Sequence, residues 1–116
     1  MHESTISIKY TKSYDNTFKK LKTHRNELAN LEKIISLIKY SQNISELIDN
    51  PLSKMYKLEQ LKYQLNPFHS YNLSKNGGTI RLIIKLVPEL NEVELIYISF
   101  DHYKDFSEDK VIYYDE

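Results

Sequence analysis

Hydrophobic and polar residues alternate over residues 5–12, where Ile6, Ile8 and Tyr10 are separated by Ser7 and Lys9. A two-residue period places those three on one face, so the stretch predicts a first strand with one buried side. From Tyr14 the spacing lengthens. Tyr14, Phe18 and Leu21, then Leu28, Leu31, Ile35 and Ile38, recur at intervals of three and four residues, the period of a helix. The stripe breaks at Thr23, His24, Arg25 and Asn26. One bent helix or two antiparallel helices would fit, and the separate apolar stripes favour the hairpin. Asn43, followed three residues later by Glu46, has the form of a capping box. It predicts a short extra helix closing at Asn50-Pro51, because a residue before proline avoids helical angles. Residues 51–67 show no clear period and read as a loop with a turn or so of helix.

Residues 68–74 read as a strand, and Asn76-Gly77 then supplies the positive φ angles of a tight hairpin. Residues 79–87 alternate most clearly, with Ile80, Leu82, Ile84 and Leu86 on one face and Arg81, Ile83 and Lys85 on the other. Pro88 to Asn91 makes a turn, and residues 93–100 form the last strand. The order of strand, two helices and three strands predicts an α+β two-layer domain. Its helices cover one face of an antiparallel three-stranded meander and leave the other partly open.

The chain has 116 residues, 41% of them hydrophobic, which suits one core and one domain. We read residues 1–106 as that domain and residues 107–116 as an acidic tail. Cysteine is absent, which removes any disulfide framework, thiolate metal site or cysteine nucleophile. The opening Met1-His2-Glu3-Ser4 lacks the basic and apolar regions of a signal peptide. No apolar run approaches the roughly 20 residues that span a bilayer. A cytoplasmic protein with no membrane role is expected.

The net charge of zero hides a division: residues 1–63 hold 11 Lys and Arg against 7 Asp and Glu, whereas residues 64–116 hold 5 against 9. Six of those nine acids lie from Asp101 onward. Val111, Ile112, Tyr113 and Tyr114 within this segment would be costly to leave in water, so docking as an extra edge strand is favoured over a free tail that repels RNA.

There is no P-loop, dinucleotide glycine fingerprint or Gly-x-Ser-x-Gly motif. His2, His24, His69 and His102 are scattered without ligand spacing, so neither metal nor cofactor is expected. Glu59, Lys62, Arg81, His102 and Tyr103 are ordinary surface residue types when taken singly.

Their joint pattern is different. The run from Lys57 through Glu59, Lys62 and Pro67 to Phe68-His69-Ser70 resembles the corresponding part of the RelE/ParE toxin superfamily. So do Ile80-Arg81-Leu82-Ile83-Ile84 and Ile98-Ser99-Phe100-Asp101-His102-Tyr103, and the likeness is strongest to the YoeB (Txe) branch. The resemblance runs from the first strand to Tyr103 and implies a RelE-like fold. It also implies a type II toxin that cuts translated messenger RNA on the ribosome without a metal and pairs with a cognate antitoxin; a homodimer is compatible with it. Glu59 would take the place of the general base, Arg81 of the phosphate-holding arginine, His102 of the general acid, and Tyr103 of the adjacent tyrosine. Such chemistry needs a group to take the 2′-hydroxyl proton, one to steady the phosphorane and one to protonate the departing 5′-oxygen. A carboxylate, a guanidinium fork and an imidazole supply these. Lys19, Lys20, Lys22 and Arg25 would meet ribosomal RNA.

Three features depart from that family. Tyr71 and Asn72 stand where the branch places an arginine, so the second cationic contact would fall to Lys62 or Lys85. The chain continues 13 residues past Tyr103, and it is neutral where relatives are basic. Two other readings therefore stand beside the nuclease: a ParE-like module that acts on gyrase through protein contacts, and a degenerate member that binds its antitoxin without activity.

Overall fold

Thr11 joins the first strand to the first helix in the computed structural model, which describes residues 5–62, 65, 67–74 and 77–114. Strand β1 (Ser7–Tyr10) stops there and α1 (Lys12–Leu21) begins, the Thr11 hydroxyl accepting the Tyr14 N–H at 2.9 Å. Such a cap satisfies one of the opening N–H groups that a helix leaves without an internal partner. α2 (Arg25–Tyr40) follows after a break, so the interrupted stripe is two helices. α3 (Ile44–Asp49) starts where the capping pattern predicts, with Asn43 Oδ1 accepting the Glu46 N–H at 2.8 Å. Asn50 closes it and caps α4 (Pro51–Met55), whose first residue is a proline, in a position where the missing N–H has no helical partner to lose.

The remaining strands are β2 (Glu59–Gln60), β3 (His69–Asn72), β4 (Arg81–Val87) and β5 (Glu92–Ser99). Together with β1 they form one sheet in the order β1-β5-β4-β3-β2. The α+β architecture matches the sequence reading, but the sheet is larger than a three-stranded antiparallel meander. β1 joins it in parallel beside β5, with Ile8 opposite Val93. β2 adds a strand within residues 51–67, a segment that reads as a loop because two residues are too few to show a period. Tyr10, expected inside, is 53% exposed, since β1 is an outer strand and its last side chain lies on the rim beside Tyr14. β3 and β4 form the expected antiparallel hairpin, with Gly77 at φ 83°; Asn76 lies outside the described residues.

The helices bury Leu21, Leu31, Ile34 and Ile38 against Leu82, Ile84, Val93 and Ile98 on one sheet face. The other face is partly covered as well. Leu61, Phe68, Ile83, Ile96 and Phe106 form a second small core there, with Phe68 and Phe106 edge to face at 5.5 Å. A β-bulge supplies it: Ile83 faces Tyr97 and Ile84 faces Leu95, so Ile96 has no opposite residue and turns into this second core.

β1 covers the edge of β5 only as far as Leu95. Beyond that point the edge is closed by α1. Thr11 Oγ1 donates to Ile96 O at 2.6 Å, and Thr17 Oγ1 accepts the Ile98 N–H at 3.0 Å while its own proton reaches Ser13 O and Tyr14 O at 2.9 and 3.0 Å. Both threonines are buried, so water cannot replace them.

The terminal segment is docked, although not as an edge strand. After a 3-10 turn at Glu108–Lys110, Val111 packs on the second core. Ser13 N–H donates to Ile112 O at 3.1 Å, Ile112 N–H donates to Ser13 Oγ at 2.7 Å, and the Tyr114 hydroxyl meets Asp15. One backbone partner at the start of a helix cannot propagate a ladder. Asp115 and Glu116 lie outside the described residues.

Thr17→Val preserves shape and removes the hydroxyl that accepts the Ile98 N–H. It is expected to lower unfolding free energy by about 1–3 kcal/mol, the cost of one orphaned buried donor. Thr17→Ser, which keeps the hydroxyl, should lose less in the same urea titration. Equal midpoints for Thr17→Val and the parent chain would show that this bond does not close the edge.

Candidate functional site

Four strands place polar residues on the sheet face opposite the helices. In one row Glu59 stands opposite Ser70, Ser70 opposite Ile83 and Ile83 opposite Tyr97. In the next row Asn72 stands opposite Arg81 and Arg81 opposite Ser99. Because β3 advances about 7 Å over two residues, Ser70 and Asn72 carry these rows side by side.

Arg81 is half-buried and firmly held. Its Nη1 donates to Asn72 Oδ1 at 2.9 Å, to Gly78 O at 2.8 Å and to Ile80 O at 3.2 Å. Asn72 Oδ1 also accepts the Ser74 N–H at 2.9 Å, which fixes the amide that orients the guanidinium. The pair at the departure from the family is thereby divided. Asn72 faces the site, whereas Tyr71 faces the helices, fully buried with its hydroxyl 2.8 Å from Ser53 Oγ; burial pushes that phenol up to about 12. Beside Arg81 lies a cleft of about 400 Å³, lined by Met55, Lys57, Asn72 and Gly77 among others.

β5 ends at Ser99, and the chain turns through His102 and Tyr103 in a corner beside the same rows. Both residues are left-handed, at φ 50° and 76°. Such angles cost on the order of 1–3 kcal/mol each for side chains of this size and persist only where the surroundings enforce them. The His102 N–H donates to Thr79 O at 3.1 Å, and the Tyr103 N–H donates to Ser99 Oγ at 2.9 Å. The Tyr103 hydroxyl is 2.7 Å from buried Ser70 Oγ and 3.5 Å from Glu59 Oε1. The exposed His102 ring lies against Tyr103, with centroids 4.8 Å apart. Three separate segments, β2, β4 and the corner after β5, thus bring Glu59, Arg81, His102 and Tyr103 to one end of one face.

No protein-family model and no curated protein sequence matches the chain. Solved structures do. A copper-bound mutant toxin from Helicobacter pylori superimposes with a TM-score of 0.62 at 17% identity, over 88% of this chain and 100% of that one. A chain of the E. coli DinJ-YafQ toxin-antitoxin complex gives 0.63 at 16% identity, over 89% and 99%. A chain of the toxin-antitoxin complex RelBE2 from Mycobacterium tuberculosis gives 0.51 at 15%, over 87% and 97%. The fold is that of the RelE-type toxins.

Within this RelE-type fold the basic residues named from sequence are dispersed. Lys19, Lys20 and Lys22 lie at the exposed end of α1 and Arg25 opens α2. This corner meets the end of β5 where the His24 ring packs on Phe100 at 5.4 Å. Lys85 stands four residues along β4 from Arg81, opposite Glu94, and Lys62 follows β2 at the same far end. Neither shares the row of Arg81. The cation in the cleft beside Arg81 is Lys57, itself left-handed at φ 55°. Sequence reasoning passed over Lys57, Ser70, Ser99 and Asp105 as site residues and took Asn72 only for a missing cation. No local pattern marks any of them, because each acquires its neighbour through pairing or a turn.

His69 sits on the helix side of β3, with Nδ1 buried and without a hydrogen-bond partner among the described residues. Burial pushes its imidazole below the ordinary 6.5, against a smaller opposing effect of the Pro67 backbone. A lowered folded value means that the unfolded chain binds the proton more readily. Its contribution to stability is therefore complete above about 6.5 and is lost as pH falls through the lowered value. The stability difference between the parent chain and His69→Leu should be constant above neutrality and shift against the parent as the solution is acidified, read from urea midpoints at several pH values. A difference that stays constant into the acid range would remove His69 as the cause.

Proposed function

We propose that the chain is the toxin of a type II toxin–antitoxin pair, acting in the cytoplasm as an endoribonuclease on messenger RNA at the ribosome. The observation that carries this reading is the convergence of Glu59, Arg81, His102 and Tyr103, distant in sequence, at one end of the open sheet face. A cognate antitoxin as partner is supported by the likeness to toxin–antitoxin complexes. The kinship with YoeB rests on the sequence motifs alone.

The chemistry divides among these side chains. Glu59 takes the ribose 2′-hydroxyl proton, and the 2′-oxygen attacks the adjacent phosphorus. Arg81, held through one nitrogen, spreads its remaining N–H donors toward the phosphate oxygens as negative charge builds. The bond to the 5′-oxygen breaks as His102 donates a proton to it, leaving a cyclic phosphate and a free 5′-hydroxyl. Tyr103 steadies the carboxylate from its anchor on Ser70. Lys57 supplies positive charge beside Arg81, and Lys19, Lys20, Lys22 and Arg25 approach ribosomal RNA from the neighbouring corner.

Arg81→Ala and His102→Ala are expected to slow single-turnover cleavage of a ribosome-bound message by on the order of 100-fold each, the scale for losing a positioned clamp or acid. Primer extension on the translated message checks this. Undiminished cleavage in both variants would take these residues out of the mechanism. Growth arrest without any cleavage would favour the gyrase-binding reading, and absence of both effects the inactive one.

A further inference from the structure

Asp105 follows the corner and reaches back under it. Its Oδ1 accepts the Ser99 hydroxyl proton at 2.5 Å and its Oδ2 accepts the Phe100 N–H at 2.9 Å. With its proton committed to the carboxylate, Ser99 Oγ turns its lone pairs to the Tyr103 N–H at 2.9 Å and the Asp101 N–H at 3.4 Å. The Tyr97 hydroxyl donates to Asp105 O at 3.1 Å, and Phe106 is buried in the second core, so the backbone at Asp105 is fixed independently of its side chain. This chain of bonds spans the two left-handed residues, His102 and Tyr103.

We propose that Asp105, acting through Ser99, is a positioning residue that holds the corner carrying His102 and Tyr103. Its effect on catalysis rests on the ribonuclease reading above. Its effect on the corner does not. The polarity of the chain is specific: a carboxylate only accepts, which forces the Ser99 proton toward it and leaves the hydroxyl oxygen to receive the Tyr103 amide. An amide of equal size at position 105 would offer an N–H in place of one acceptor. The Ser99 hydroxyl would then receive that donor, compete with the Tyr103 N–H for its lone pairs, and lose the acceptor for its own proton.

Asp105→Asn, Ser99→Ala and the double variant of the full chain test this. In the protein without RNA, amide hydrogen exchange at Tyr103 is expected to accelerate by about tenfold or more in each single variant, while α2 and β4 amides stay protected. In single-turnover cleavage at saturating ribosomes the rate should fall by about tenfold with half-saturation within about twofold, because the corner is misplaced while the rest of the binding surface is intact. The double variant should be no worse than the poorer single variant, since the two groups act in series. Unchanged exchange at Tyr103 in both folded single variants overturns the proposal, as do additive losses in the double. Faster exchange with unaltered cleavage in an active parent overturns the catalytic part. A parent chain that cuts no RNA removes the ribonuclease reading, and exchange then decides the role of Asp105 in the corner by itself.

Discussion

Strand β5 lies inside the sheet with its helix-facing side buried, and its backbone must find partners along two edges with a neighbour too short to cover one of them. β1 supplies four residues and ends at Leu95. The open remainder is closed by Thr11 and Thr17, whose hydroxyls bond Ile96 O and Ile98 N–H from within α1. An unpaired buried N–H or carbonyl costs more than a typical hydrogen bond contributes, so α1 has little freedom to move along the sheet. The cap that starts this helix is the same Thr11 that bonds the strand. Strand end, helix start and edge closure therefore depend on one side chain.

From that constraint the other face follows. The bulge at Ile96 lies where the helix takes over from β1, and it sends an additional apolar side chain away from the helices. Ile96 and Ile83 there attract Phe68 and Phe106, and the chain returns across the open face after the corner at residues 101–105. The corner runs between the end of β5 and the buried Phe106 and holds two left-handed residues in succession without glycine. Glu59, Asn72 and Arg81 border this second core, and Ser70 is buried at its margin opposite Ile83.

The neutral charge is spatially resolved in α1. At its start Asp15 meets the Tyr114 hydroxyl and Ser13 binds Ile112, so the acidic tail is attached at that end. At its finish Lys19 and Lys20 lie in the last turn, a placement that also suits the helix dipole. Lys12 and Asp15 stand together in the first turn, whereas the last turn carries cations alone. The cleft beside Arg81 is lined by Lys57 and by no acid among the described residues, so the surface there is cationic although the chain as a whole is neutral.

The sequence by itself determined the local structure: both long helices with the break between them, the Asn43 cap of α3, the turn at Pro88, and the strands that later proved to be β1, β3, β4 and β5. Periodicity, caps and turn residues act within a few positions, so one chain read in order carries them. It also carried Glu59, Arg81, His102 and Tyr103 as a set, through their resemblance to short motifs of the RelE toxins. What it could not carry was decided by strand pairing. The parallel docking of β1, the two-residue β2, the bulge at Ile96 and the division of Tyr71 from Asn72 all depend on which residue stands opposite which. Lys57 beside Arg81, Ser70 beneath Tyr103 and Asp105 behind Ser99 become neighbours only when those registers are set. Their contacts join residues whose separation in the chain ranges from 6 to 33 positions, as in Ser99 to Asp105 and Ser70 to Tyr103, and no local pattern encodes a partner at such a remove.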